Sequence, residues 1–165
     1  MIWNAVVIGA IILALVILIR KLPLAFEMQK KENPELSEKE MTVYGLLAQA
    51  DDAFDRKSFI EAEELYVKAA ANSPQDVHIF NRLGIIYLEQ NNFYDAKEAF
   101  RQTVKLEEKK ASHSVNLGLA YLGLKDYFKA SQAFDQALVL DPGNKKYQEF
   151  LQKAKDLQEK ESKKK

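Results

Sequence analysis

Two histidines, His78 and His113, are the side chains of this chain best suited to shuttle a proton or hold a metal. Such work needs a second ionisable group in the same site, and 35 residues separate the two. Each reads as a single polar side chain near the start of a helix. Asp51 and Asp55 would stand one helical turn apart on one face. There they could receive a lysine or arginine from a partner, or stay solvated beside Arg56 and Lys57. The pairs Glu63-Glu64 and Glu107-Glu108 read as exposed faces. Cysteine is absent, which excludes disulfides, cysteine-rich zinc sites and thiol catalysis. No glycine-rich phosphate loop, H-E-x-x-H or nucleophile elbow occurs. The chemistry available points to no enzyme, no cofactor and no metal.

The 24 Lys and Arg residues balance 24 Asp and Glu, so there is no global field to recruit nucleic acid. With only 6 glycines and 4 prolines in 165 residues, the composition favours helix. From Ala5 to Ile19 every residue is apolar or glycine, and Met1, Ile2 and Trp3 extend the run. As a helix this run rises about 28 Å, close to the thickness of a bilayer core. Nothing basic precedes it, and Arg20-Lys21-Leu22-Pro23 offers no small-residue cleavage site, so it reads as an anchor over residues 1–20 and not as a cleaved signal. Arg20, Lys21, Lys30 and Lys31 follow it, which predicts a single-pass membrane protein with its N-terminus outside and the remainder in the cytoplasm.

Residues 21–36 read as a juxtamembrane linker. Ser37-Glu38-Lys39-Glu40 matches a capping box, so a helix should begin there. Beyond it the chain repeats with a period of 34: Leu83-Gly84 returns as Leu117-Gly118, Tyr87-Leu88 as Tyr121-Leu122, and Ala99-Phe100 as Ala133-Phe134. Residues 77–110 and 111–144 share nine identities in 34 positions. Ala50, Ala53, Phe59, Ala62, Tyr66, Ala69 and Pro74 form a weaker earlier copy. Each unit suggests two helices joined at Lys57-Ser58, Asn91-Asn92 or Lys125-Asp126. Gly84 and Gly118 would let the paired helices approach closely, and Tyr66, Phe100 and Phe134 would fill the space between hairpins. Ser73-Pro74 and Asp141-Pro142 read as a cap followed by proline in the first helical turn. One hairpin cannot bury its own apolar side, whereas a stack of three can.

These residues resemble the tetratricopeptide repeat family. The third unit carries the signature at Leu117, Gly118, Tyr121, Ala130, Phe134, Ala137 and Pro142. The second carries it at Phe80, Leu83, Gly84, Tyr87, Ala96 and Phe100, but has Thr103 and Glu108 where alanine and proline belong. The first departs furthest, with Gln49 and Ala53 where leucine and tyrosine belong. The resemblance implies an all-α protein: a transmembrane helix followed by a right-handed α-α superhelix of three helix hairpins. The repeats would span about 43–76, 77–110 and 111–144. Tyr147, Phe150, Leu151, Ala154 and Leu157 form the stripe of a capping helix over 144–158, which completes a domain of residues 37–158. A disordered basic tail would occupy 159–165.

By resemblance, a protein or peptide partner would lie on the face lined by the first helices. The matching positions are Tyr44, Leu47, Asp51, Phe54 and Asp55 in the first unit, then His78, Asn81, Ile85, Leu88 and Glu89 in the second. The third supplies Ser112, Val115, Leu119, Leu122 and Gly123. Aliphatic residues mixed with acids suit an amphipathic segment carrying a basic residue; Phe54, Leu88 and Leu122 could equally be core. Chaperone-binding members clamp a terminal carboxylate with Lys, Asn and Arg side chains. The matching positions here are Leu47, Asp51, Arg82, Ser112 and Asn116, so that clamp is absent. The anchor with repeats resembles bacterial inner-membrane assembly factors, with mitochondrial outer-membrane receptors as the alternative. The expected function is a membrane-anchored adaptor. The other reading is a structural subunit or homo-oligomer with an empty groove.

Overall fold

A computed structural model of the chain describes residues 37–163, and every element in it is a helix. The helices are α1 (Glu38–Asp55), α2 (Phe59–Asn72), α3 (Val77–Glu89), α4 (Phe93–Leu106), α5 (Ala111–Gly123), α6 (Tyr127–Leu140) and α7 (Lys145–Ser162). The first six form three hairpins. The capping box starts α1 as its sequence demands: the Glu40 N–H donates to Ser37 Oγ (3.2 Å), and the Ser37 N–H donates to the Glu40 carboxylate (2.8 Å).

Each hairpin turn is built the same way. Lys57, Asn91 and Lys125 adopt left-handed φ of 60°, 57° and 61°, and they stand 34 residues apart. The next N–H in each, from Ser58, Asn92 and Asp126, reaches back to Ala53, Tyr87 and Tyr121 carbonyls at 2.8–3.0 Å. This is a Schellman closure, in which one left-handed residue satisfies the carbonyls that a helix end exposes. The same Asn92 and Asp126 then cap the second helix, accepting from the Asp95 and Lys129 N–H groups. One residue pair thus ends one helix and starts the next, which keeps the connection short and the helices antiparallel.

Small residues set the helix spacing. A Cβ placed on Gly84 would lie 2.5 Å from the Phe100 ring, and one on Gly118 would lie 2.5 Å from the Phe134 ring. Each phenylalanine therefore presses on the backbone of its own hairpin's first helix. Phe100 also packs with Ala120 and Leu117 of the next hairpin, so one ring closes a hairpin and joins it to its neighbour. Tyr66 takes this place in the first hairpin, buried with Ala50, Ala53 and Ile79. The last hairpin is closed by α7, whose Ala154, Phe150 and Leu151 cover Phe134 and Ala137; the Phe134 and Phe150 rings stack at 5.5 Å.

Several expectations need correction. Membrane localisation is one: among the described residues no helix is long and apolar enough to cross a membrane. The span at 1–20 and the linker at 21–36, on which an outside N-terminus and a cytoplasmic domain rested, lie outside the described residues. Pro74 and Pro142 do not open helices. The Ser73 N–H closes α2 on Ala69, and Asp76 caps α3 through the His78 N–H. Asp141 likewise closes α6 and Asn144 caps α7, so each proline sits in the turn between hairpins. Finally, α7 continues past 158 to Ser162. Lys163 there bonds Glu159 one turn earlier, a spacing that supports helix in an otherwise polar segment.

A candidate partner-binding face

The first helices α1, α3 and α5 carry all the groove positions, and α3 contacts α5 directly. Exposure separates these positions. Tyr44, Asp55 and Glu89 are exposed. Leu47, Ile85, Leu88, Leu119 and Leu122 are half-buried, each resting on a core cluster with part of its surface open. Phe54, Ser112 and Gly123 are also half-buried. Val115 is buried beside Phe134 and Ala154, so its side chain serves the core. Asn81 accepts a hydrogen bond from Asn116 Nδ2 (3.1 Å), a polar link between the second and third hairpins.

Asp51 is the hub of the face. Its Oδ1 accepts from the Tyr66 hydroxyl, pairs with His78 Nε2 at 3.0 Å and lies 3.4 Å from Arg82 Nε. The Arg82 guanidinium also covers the Phe54 ring at 4.3 Å. One carboxylate from α1 therefore ties α2 and α3 together. Partial burial works against its charge, but the bonds from Tyr66 and His78 and the field of Arg82 outweigh that cost and hold its carboxyl below the usual range. Burial, then the bond to Asp51, pushes the Tyr66 phenol well above its ordinary value. The acid that looked able to receive a partner's cation is committed internally, and it is brought into contact with His78, which the sequence had placed on the same face only as a separate groove position. The sequence reading had Tyr66 filling the space between hairpins and missed its hydrogen bond to Asp51. Its signal was a hydroxyl at a fully buried position where the other units have phenylalanine.

Polar links recur elsewhere. Glu63, expected on an exposed face, is half-buried and accepts from Gln90 Nε2 at 3.1 Å. The Tyr87 phenol is pushed up to about 12 by burial and by the Glu63 charge. His113 is buried and pairs through Nε2 with Glu107 at 2.8 Å. His78 and His113 thus serve separate pairs. Among the described residues no group of three or more His, Cys, Asp or Glu side chains is placed to hold a metal ion.

The profile described as Tetratricopeptide repeat matches residues 47–93 and again 81–145. The chain belongs to the tetratricopeptide repeat family. Among solved structures it is similar to the TPR domain of Arabidopsis OM64, with a TM-score of 0.66 and 19% identity over 72% of this chain and 98% of that one. It is also similar to the second TPR domain of human RPAP3, solved in complex with the HSP70 peptide SGPTIEEVD: TM-score 0.66, 22% identity, 71% of this chain and 98% of that one. The TPR2B domain of yeast Sti1, in a complex with pHsp70, matches at TM-score 0.63 and 14% identity, over 70% and 98%. At these identities the likeness establishes the fold alone. No curated protein sequence matches the chain significantly.

Proposed function

We propose that this chain is an adaptor without chemistry of its own, whose first-helix face holds a protein or peptide partner. The observation that carries this reading is the division of labour on that face. Arg82 is paired with Asp51, which also bonds His78, while Leu47, Ile85 and Leu119 keep open aliphatic surface and Asp55 and Glu89 stand exposed. Such a surface suits an amphipathic segment that lays its apolar side on the leucines and offers lysine or arginine to the acids. The human RPAP3 and yeast Sti1 domains, solved with HSP70-derived ligands, support peptide holding as the use of this fold. The ligand here differs, because the positions that would grip a terminal carboxylate are Leu47, Asp51, Arg82, Ser112 and Asn116, and the cation among them is already paired.

The test is selection of binding peptides from a displayed random library, followed by Leu119→Arg and Glu89→Lys variants checked for intact helix content. Selected peptides should combine apolar residues with at least one basic residue. Each variant should weaken them about tenfold or more, a charge buried or reversed at an interface costing upwards of 1.4 kcal/mol. A peptide ending in EEVD should not bind. Unchanged affinity in both variants would place the binding surface elsewhere.

A further inference from the structure

Two acids on the first-helix face stay free of partners. Asp55 and Glu89 end α1 and α3, are exposed, and stand 34 residues apart at equivalent places in successive hairpins. Among the described residues neither side chain forms an ion pair or a hydrogen bond. Other acids nearby are committed: Asp51 holds His78 and Arg82, and Asp52 and Glu61 hold Arg56. The third equivalent place is Gly123. A Cβ there would collide with the Phe93 ring, so the packing of the hairpin tips admits no acid at that place.

The open apolar surface is offset from these acids. Ile85 and Leu88 lie one turn apart on α3, and Leu119 and Leu122 repeat them on α5; all four are half-buried. On α1 the corresponding places hold the committed Asp51 and Phe54, whose ring lies under the Arg82 guanidinium. Acid is thus offered over α1 and α3, and aliphatic surface over α3 and α5.

Spacing decides the conformation of an occupant. Side chains bond directly from α1 to α3 (Asp51 to His78) and from α3 to α5 (Asn81 to Asn116), and helices in such contact run about 8–10 Å apart. A strand repeats one face every ~6.8 Å, so its bases would fall between the acids. An α-helix brings residues seven positions apart to one face at a separation of about 10.5 Å. A polyproline helix returns every third residue at about 9.3 Å, but it presents one line of side chains where α3 and α5 each offer two apolar residues. Only the α-helix carries a stripe wide enough for both.

We infer, on the reading that the first-helix face holds the partner, that its occupant is an α-helix crossing all three first helices. Two basic residues seven positions apart meet Asp55 and Glu89, toward the end lying over α1 and α3. Aliphatic residues in the same heptad spacing meet Ile85, Leu88, Leu119 and Leu122, toward the end lying over α3 and α5.

Fluorescent model peptides titrated with the full chain, read by anisotropy, test the register. Two alanine-based helices of identical composition carry the same leucine stripe and two lysines. In one the lysines are seven positions apart; in the other they are eleven apart, on the same face but separated by about 16.5 Å. A proline-rich host carries its lysines three apart. The seven-residue spacing should bind about three- to fivefold tighter than the eleven, the worth of one exposed ion pair, and the proline-rich host should bind weakest. Asp55→Asn and Glu89→Asn should each erase the difference between the two helices, because each leaves a single acid to meet. Equal binding of the two helices, a preference that survives either variant, or tighter binding of the proline-rich host would each overturn the helical register. So would failure of every model peptide to bind. Leu119→Arg distinguishes the two levels of failure. If it weakens library-selected peptides while the spacing preference is absent, the face holds its partner in another conformation; if it leaves them unchanged, the face itself is not the surface.

Discussion

Adding one carbon to Gly84 tests whether aromatic contact with a bare backbone holds each hairpin together. The Cβ of Gly84→Ala would lie 2.5, 2.6 and 2.7 Å from three atoms of the Phe100 ring, where carbon atoms ordinarily rest about 3.5–4.0 Å apart. The ring is fully buried and joins two hairpins, so it must move about 1 Å against packed neighbours. Overpacking of this kind costs about 1–3 kcal/mol. Alanine returns about 1 kcal/mol through its better helix propensity, which leaves a net loss of about 1 kcal/mol. Gly45 in α1 supplies the control, because nothing lies within 4 Å of its Cβ position; Gly45→Ala should keep the whole gain. The two variants should differ by about 2 kcal/mol, or roughly 8 °C in Tm for a domain of this size. Thermal unfolding followed by circular dichroism reads the difference. In a double-mutant cycle, Phe100→Leu should relieve the clash and give a favourable coupling of about 2 kcal/mol with Gly84→Ala. Gly84→Ala as stabilising as Gly45→Ala, or a coupling near zero, would refute the contact as the source of the spacing.

Two further outcomes follow from the turns and the hub. Lys125 holds φ 61° without being glycine, a conformation that costs an L side chain about 1 kcal/mol, so Lys125→Gly should raise stability by about that amount in urea unfolding; a lower midpoint would mean that the lysine side chain contributes more than its backbone costs. Asp51 has its carboxyl held below the ordinary value, so its contribution is complete above about pH 4, its unfolded range, and is lost as pH falls through the lower folded value. Urea midpoints measured down the acid limb should therefore fall less steeply in Asp51→Asn than in the wild type, and parallel curves would remove Asp51 from the account.

The hairpins were legible in the sequence because their constraints are local and repeat. Gly84 with Phe100, and Gly118 with Phe134, mark a close approach at fixed spacing. The three turn pairs at residues 57–58, 91–92 and 125–126 are where the helices break. What escaped has a different physical origin. A polar residue before proline is compatible both with a helix start and with a turn, and only the competing caps at Asp76 and Asn144 decide between them. Val115 sits at a position that faces the groove by resemblance, yet the third hairpin packs α7 against the same cluster and buries it. The commitment of Asp51 depends on which residues of α3 face α1, a register between hairpins that no period within one chain segment encodes.

That register explains the departures of the first unit from the others. Where the later hairpins press phenylalanine onto glycine, the first presses Tyr66 against the region of Ala50 and Ala53. A buried phenol needs an acceptor, since an unpaired one would cost about 1–3 kcal/mol. Asp51 supplies it from one turn of α1, and the charge this brings into half-buried surroundings is met by His78 and Arg82 of the next hairpin. The tyrosine, the aspartate, the histidine and the arginine are thus a single substitution relative to the apolar joint made by Phe100, and altering one strands the others. A partner arriving on the first-helix face meets Asp51 already bonded to three side chains. On the proposed partner-binding reading, recognition of basic residues would fall to Asp55 and Glu89, which stand exposed at the ends of α1 and α3.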